Sequence, residues 1–233
     1  MSASENPWFS AATFSGKVRL LALPNHVLLP HVAQPLHVVE PRDCALLKDA
    51  LADDHLLALA VMQPGWEADY EGSPPIGPIA CLAKILACQP LPHGFNVLLM
   101  GLRRVRLLRE REPIGGFREA EAELCVDHYP PQFAAQRAAL HAQLREAFLR
   151  VLPLLPQAQT ELEELLRSEV SLGVLTDVIG YGLDLGLRRK EELLRQTDVD
   201  RRARLLLDHL ASLAEQEPGY TRGKPFPPDF SGN

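Results

Sequence analysis

Five arginines crowd positions 103–111: Arg103, Arg104, Arg106, Arg109 and Arg111. A cluster of this kind could neutralise a phosphate backbone. The stretch that follows carries Glu119, Glu121 and Glu123 at every second position. Alternate residues of a strand share a face, and a turn at 113–116 would set the two stretches antiparallel. Opposite charges facing across strands stabilise by about 0.2–1 kcal/mol per pair. The expected arrangement is a charge-paired outer face, with Arg104 across from Glu123 and Arg106 across from Glu121. That register turns Val97, Leu99, Val105 and Leu107 inward with Ala120, Ala122 and Leu124, and points Arg103 inward as well. The two stretches lack the stacking aromatics of single-strand binders, and the net charge of −6 also argues against nucleic acid as the main partner.

Other chemistry-bearing residues converge less. His26, His31 and His37 are close in sequence, and hydrogen-bonded histidines are favoured there over a metal site. Cys44, Cys81, Cys88 and Cys125 form no CxxC pair and are expected as free thiols. The sequence contains no HExxH, no GxSxG and no GxGxxG after a strand. Residues 219–224 read GYTRGK, one residue short of a phosphate-binding loop and without Ser or Thr after the lysine. The expectation is therefore no catalytic residue, no cofactor and no metal. Trp66 and Tyr70 lie in a segment, 64–78, that holds four prolines and three glycines. They either cover an end of the scaffold or anchor a bound peptide, since a rigid framework often presents function on such loops.

The elements that must position these residues follow from hydrophobic period and from breakers. Strands are predicted at 18–23, 35–39, 56–62, 79–91, 95–111 and 117–127, and a helix opens at Pro41 and buries Leu46, Leu47, Ala50 and Leu51. Six strands at hairpin spacing predict a closed or nearly closed antiparallel barrel. After Pro130-Pro131 the period changes from 2 to 3.6. Helical stripes run through Phe133, Leu140, Leu144, Phe148 and Val151; through Leu162, Leu165 and Leu166; through Leu172, Leu175, Ile179 and Leu183; and through Val199, Ala203, Leu206, Leu210 and Leu213. The last is expected to be capped by Thr197 or Asp198, with Asp200 reaching back. The fold class is α+β: a tail at 1–16, a barrel at 17–129, a helical bundle at 130–216 and an extended tail at 217–233. The absence of an apolar leader or an ~18-residue apolar span predicts a soluble cytoplasmic protein.

Three stretches together resemble the N-terminal substrate-recognition domain of Lon proteases. The first, 21–51, reads LALPNHVLLPHVAQPLHVVEPRDCALLKDAL, and its Pro35, Leu36, Glu40, Pro41 and Arg42 match a Pro-Leu-x-Ile-Phe-Glu-Pro-Arg signature, with Val38 and Val39 in place of Ile-Phe. The second comprises PGWEADYEGSPPIGPIACLAKI and FNVLLMGLRRVRLL, with Gly101, Arg104 and Arg106. The third, 175–210, resembles the family's closing helices through Lys190, Leu193, Leu194, Asp198, Val199 and Arg202, with Glu191 in place of a glutamine. The resemblance implies a PUA-like pseudo-barrel followed by helices, related to the Lon-like domain of cereblon, with the matched residues structural. It also implies a non-enzymatic module that binds unfolded or tagged protein segments and works beside a Lon-type protease, since the ATPase and the Ser-Lys peptidase lie elsewhere in that family's chains. The alternative is a PUA-like nucleic-acid binder, which rests on fold analogy alone.

Overall fold

A computed structural model describes residues 9–70, 72–112, 115–152 and 170–215. Six strands form one sheet: β1 Lys17–Leu23, β2 Ala33–Val38, β3 Leu56–Val61, β4 Ile79–Leu91, β5 Gly94–Arg111 and β6 Arg118–Cys125. The described helices are α1 Pro41–Ala52, α2 Ala134–Val151, α3 Leu172–Gly182, α4 Gly186–Arg195 and α5 Val199–Glu215. Pro41 opens α1, where its missing N–H has no intrahelical partner to lose. The expected stripe at Leu162, Leu165 and Leu166 and the tail at 217–233 lie outside the described residues.

The strand order is β2-β5-β4-β3-β1-β6, and β5 also pairs with β6. The pairings thus run in a circuit through β1, β3, β4, β5 and β6, with β2 outside it at the edge. This is a mixed sheet and not the clean antiparallel barrel expected from hairpin spacing. The difference lies at β1 and β3, which pair in parallel, Leu20 opposite Ala58 and Leu23 opposite Val61. The chain between them passes through β2 and α1, and a crossover of that length permits parallel pairing.

Alternation along the strands sorts the core. Ala58 and Ala60 of β3 join Val18, Leu20, Ala80, Leu82, Leu102, Val105, Ala120 and Ala122 in one buried cluster. Leu57 and Leu59, on the other face of β3, are also fully buried, and α1 packs on β1, β3 and β5. A strand buried on both faces reads as the continuous apolar run seen at 56–61. Residues 9–16, expected as part of a loose tail, instead carry Phe9 and Phe14, which pack against this cluster with their rings edge to face, centroids 6.1 Å apart.

The register of β5 corrects the expected pairing of the arginines. Arg106 lies opposite Glu123 and ion-pairs with it at 3.0 Å, and Arg109 opposite Glu121 at 2.8 Å. Arg104 lies opposite Cys125 and is buried, not displayed beside Glu123. Arg103, expected inward, is half-buried. The partners of Arg104 and Arg106 are displaced by two residues, which keeps the alternation, and Arg104 is buried because the end of α4 lies over it; two bulges account for the other differences. Leu108 is left out of the ladder to β6 and Leu102 out of the ladder to β4. Each extra residue reverses the alternation beyond it. Val105, Leu107, Ala120, Ala122 and Leu124 do meet at one core, whereas Val97 and Leu99 are buried outside it.

By contacts the chain forms two compact units, Met1–His128 with Leu183–Thr197, and Tyr129–Gly182 with Asp198–Asn233. Helix α4, which falls within the stretch expected as the helical bundle, clusters with the strands. In the second unit α2, α3 and α5 pack on one another. Arg137 donates to both carboxylate oxygens of the fully buried Asp200, at 3.0 and 2.8 Å, and to the Pro130 carbonyl at 2.8 Å. Asp200 therefore does not reach back to the start of α5. Asp198 caps that helix, accepting from the Arg201 N–H at 3.0 Å.

Candidate functional site

The Glu-Pro-Arg triplet at the start of α1 holds the proline-rich loop at 64–78. Arg42 Nη1 donates to the Tyr70 carbonyl at 2.7 Å and to the Gly72 carbonyl at 3.3 Å, and its guanidinium lies 4.9 Å from the centre of the Tyr70 ring. The Tyr70 hydroxyl donates to Glu40 Oε1 at 3.2 Å. Tyr70 in turn meets Trp66 edge to face, centroids 5.4 Å apart. Asp43, one residue beyond Arg42, is buried, and burial raises its carboxyl pKa to about 6 against the pull of Arg42. Sequence reasoning singled out the triplet and the aromatic pair separately; the fold joins them in one network. Trp66 is the member that faces a cleft, and Tyr70 braces it.

That cleft, of about 860 Å³, lies within the strand unit. Met62, Gln63, Pro64 and Trp66 form one wall, and α4 forms the other through Leu187, Arg188, Glu191, Glu192 and Arg195. Pro24 and Asn25 also line it, as does Gln196. The walls are bonded to each other: Gln63 Nε2 donates to Glu191 Oε1 at 2.8 Å, and Arg195 donates to Gln63 Oε1 at 3.3 Å and also to Glu191. Arg188 and Glu192 are exposed, and their side chains bond to none of the described residues. The cleft therefore sets an apolar patch of Met62, Pro64 and Trp66 against a wall that is mostly charged.

Arg104 fixes the end of α4. Its side chain is 3% exposed, and it donates from Nε to the Leu194 carbonyl at 2.9 Å and from Nη2 to the Leu193 carbonyl at 3.2 Å. Asp127 lies 3.6 Å from Nη1. The last carbonyls of a helix lack intrahelical donors and carry partial negative charge, so a guanidinium there is doubly favourable.

The other motif positions lie away from the cleft or in its supporting elements. Pro35 and Leu36 sit in β2, opposite Leu98 and Val97. A Cβ at Gly101 would come within 2.1 Å of the Leu29 carbonyl oxygen, so only glycine permits that backbone approach. Lys190 is half-buried on α4, and burial lowers its pKa against the pull of Asp184. In the second unit Arg202 is fully buried, its Nε 3.1 Å from Thr176 Oγ1 and 3.8 Å from Asp177. The early histidines do not converge: His37 meets the Asn96 side chain at 2.9 Å, while burial beside Lys190 lowers the pKa of His26. Among the described residues no group of three or more metal-ligating side chains gathers. None of the four cysteines is in a disulfide.

The strand unit is thus a mixed α+β framework with a cleft whose α4 wall is held at its end by a buried arginine clamp. The chain matches the ATP-dependent protease La (LON) substrate-binding domain over residues 17–212, and it belongs to that family. It is 25% identical over 193 residues to Lon protease 2 of Myxococcus xanthus, a match covering 82% of this chain and 23% of that one. The chain thus spans about a quarter of the length of the curated relatives it matches. It shares its fold with the N-terminal domain of a Mycobacterium avium complex Lon protease, at a TM-score of 0.67 and 20% identity, covering 84% of this chain and 98% of that one. A Lon N-terminal domain protein from Xanthomonas campestris aligns at 0.53 and 20%, covering 87% and 99%.

Proposed function

We propose that this chain recognises protein segments without itself catalysing their breakdown, as a PUA-like member of the Lon substrate-binding family. The observation that carries the reading is the cleft in which Trp66, braced by Tyr70, stands with Met62 and Pro64 on the wall across from α4. A rigid aromatic presented beside aliphatic groups is the usual anchor point for an unfolded or tagged segment. The cleft gathers no nucleophile with a base and no metal-ligand set. A Lon-type protease is the natural partner to receive what this module holds. The nucleic-acid reading is disfavoured, because Arg106 and Arg109 are spent on Glu123 and Glu121 and Arg104 is buried. No helix among the described residues is long and apolar enough to cross a membrane.

The test uses the purified chain and a permanently unfolded protein, reduced and carboxymethylated lactalbumin. Capture without cleavage of the protein and without ATP hydrolysis is expected. Steady turnover that a point substitution abolishes, or salt-sensitive retention of RNA in place of the unfolded protein, would overturn the reading.

A further inference from the structure

We propose that the cleft selects an extended segment in which a large apolar side chain is flanked on one side by an acidic residue and on the other by a basic one. The proposal rests on the reading that the chain binds protein segments, and it names the class that the site prefers.

The argument begins with which charges are free. Arg195 is tied to Glu191 and to Gln63, so that part of the α4 wall is internally neutral. Arg188 and Glu192 remain, both exposed and both lining the cleft. They stand four residues apart, on one face of the helix and roughly 5–6 Å from each other. An i,i+4 pair with the cation first is the weaker order, and no bond joins them, so each is available to a ligand.

An extended chain rises about 3.3 Å per residue and sends successive side chains to opposite sides, so residues i and i+2 lie roughly 6–7 Å apart on one side. That spacing matches Arg188 and Glu192. A segment lying between the walls therefore presents its two flanking residues to α4 and its middle residue to Trp66, Met62 and Pro64. The wall's opposite charges ask for one acid and one base, and the apolar wall asks for a large side chain between them. Charge placement of this sort contributes discrimination more than raw affinity.

The test measures fluorescence anisotropy of four labelled peptides in a Gly/Ser frame, centred on Asp-Phe-Lys, Asp-Phe-Asp, Lys-Phe-Lys and Asp-Ser-Lys, with unfolded lactalbumin as the parallel ligand. The unaltered chain is expected to bind Asp-Phe-Lys roughly two- to fivefold tighter than either like-charged peptide. It should bind Asp-Ser-Lys at least about tenfold weaker, because the apolar anchor is gone. Arg188→Glu makes the wall acidic and should move the preference to Lys-Phe-Lys; Glu192→Arg should move it to Asp-Phe-Asp. Both positions are exposed, so a thermal melt should confirm that each variant stays folded. Equal affinities for all charge patterns, or preferences that the two variants leave unchanged, overturn the proposal. If unfolded lactalbumin is captured while none of the peptides binds, the proposal falls and the protein-binding reading stands. If neither is captured, both fall.

Discussion

A methyl group at position 101 would have to share space with the Leu29 carbonyl oxygen, and the surrounding bonds leave the backbone no room to retreat. The Gly101 N–H donates to the Val32 carbonyl at 2.9 Å, and its own carbonyl accepts from the His31 N–H at 2.8 Å. Gly101→Ala is expected to cost about 1–3 kcal/mol, the range of overpacking, read as a lower urea midpoint with an unchanged slope. Asp43 acts in the opposite direction. Its folded pKa of about 6 lies above the ordinary 3.8, so folding favours the protonated form. The stability that Asp43 contributes is fully present below pH 3.8 and is lost as pH rises through 6. Asp43→Asn is therefore expected to raise stability near neutral pH by on the order of 2 kcal/mol, a gain that shrinks toward acid in urea titrations across that window. Arg42 stood out in the sequence only through the family signature, beside a helix-opening proline, and the loop carbonyls it holds are 28 and 30 residues away. The role of Arg104 was not legible either, because the carbonyls it caps lie 90 residues away.

Among the elements, α4 depends most on a single side chain. Arg104→Met keeps the apolar stem but leaves the Leu193 and Leu194 carbonyls without their donor. The expected loss is roughly 2–4 kcal/mol, accompanied by faster amide hydrogen exchange in the last turn of α4. Unchanged exchange there would show that the clamp contributes nothing. This helix was the element the hydrophobic period missed. Its apolar aliphatics, Leu187, Leu193 and Leu194, sit only near the two ends of its ten residues, so no continuous stripe marked it within the stretch expected as the bundle. Strands were easier, since 79–91 opens as a nearly continuous apolar run between clear breakers and its bounds in the structure match. The bulges at Leu102 and Leu108 left no such trace. Neither position is a glycine or a proline, and a strand with one residue too many looks the same in sequence as one without. The parallel pairing of β1 with β3 was hidden for a related reason: period shows which residues form a strand, but not which strand lies beside it.

At the scale of the molecule, contacts place 183–197 with the strands although they follow more than fifty residues of the other unit. Hydrogen exchange provides the check. Amides of 186–195 are expected to open with those of β4 and β5, at a free energy distinct from that of α3 and α5; a common opening of α3, α4 and α5 would contradict the grouping. The sheet has one more consequence, which concerns colloidal behaviour. A protein that holds unfolded chains keeps aggregation-prone material at high local concentration, and the unpaired edge of a sheet is a template on which such material can grow. β2 ends the sheet, and its ladder to β5 runs unbroken from Ala33 to Val38 with Pro35 in the middle. A proline that leaves the inner ladder intact turns its hydrogen-less nitrogen outward, so a strand added there would find a donor missing at its centre. The residue that the family signature marks at position 35 thus keeps this edge from serving as a template for another strand.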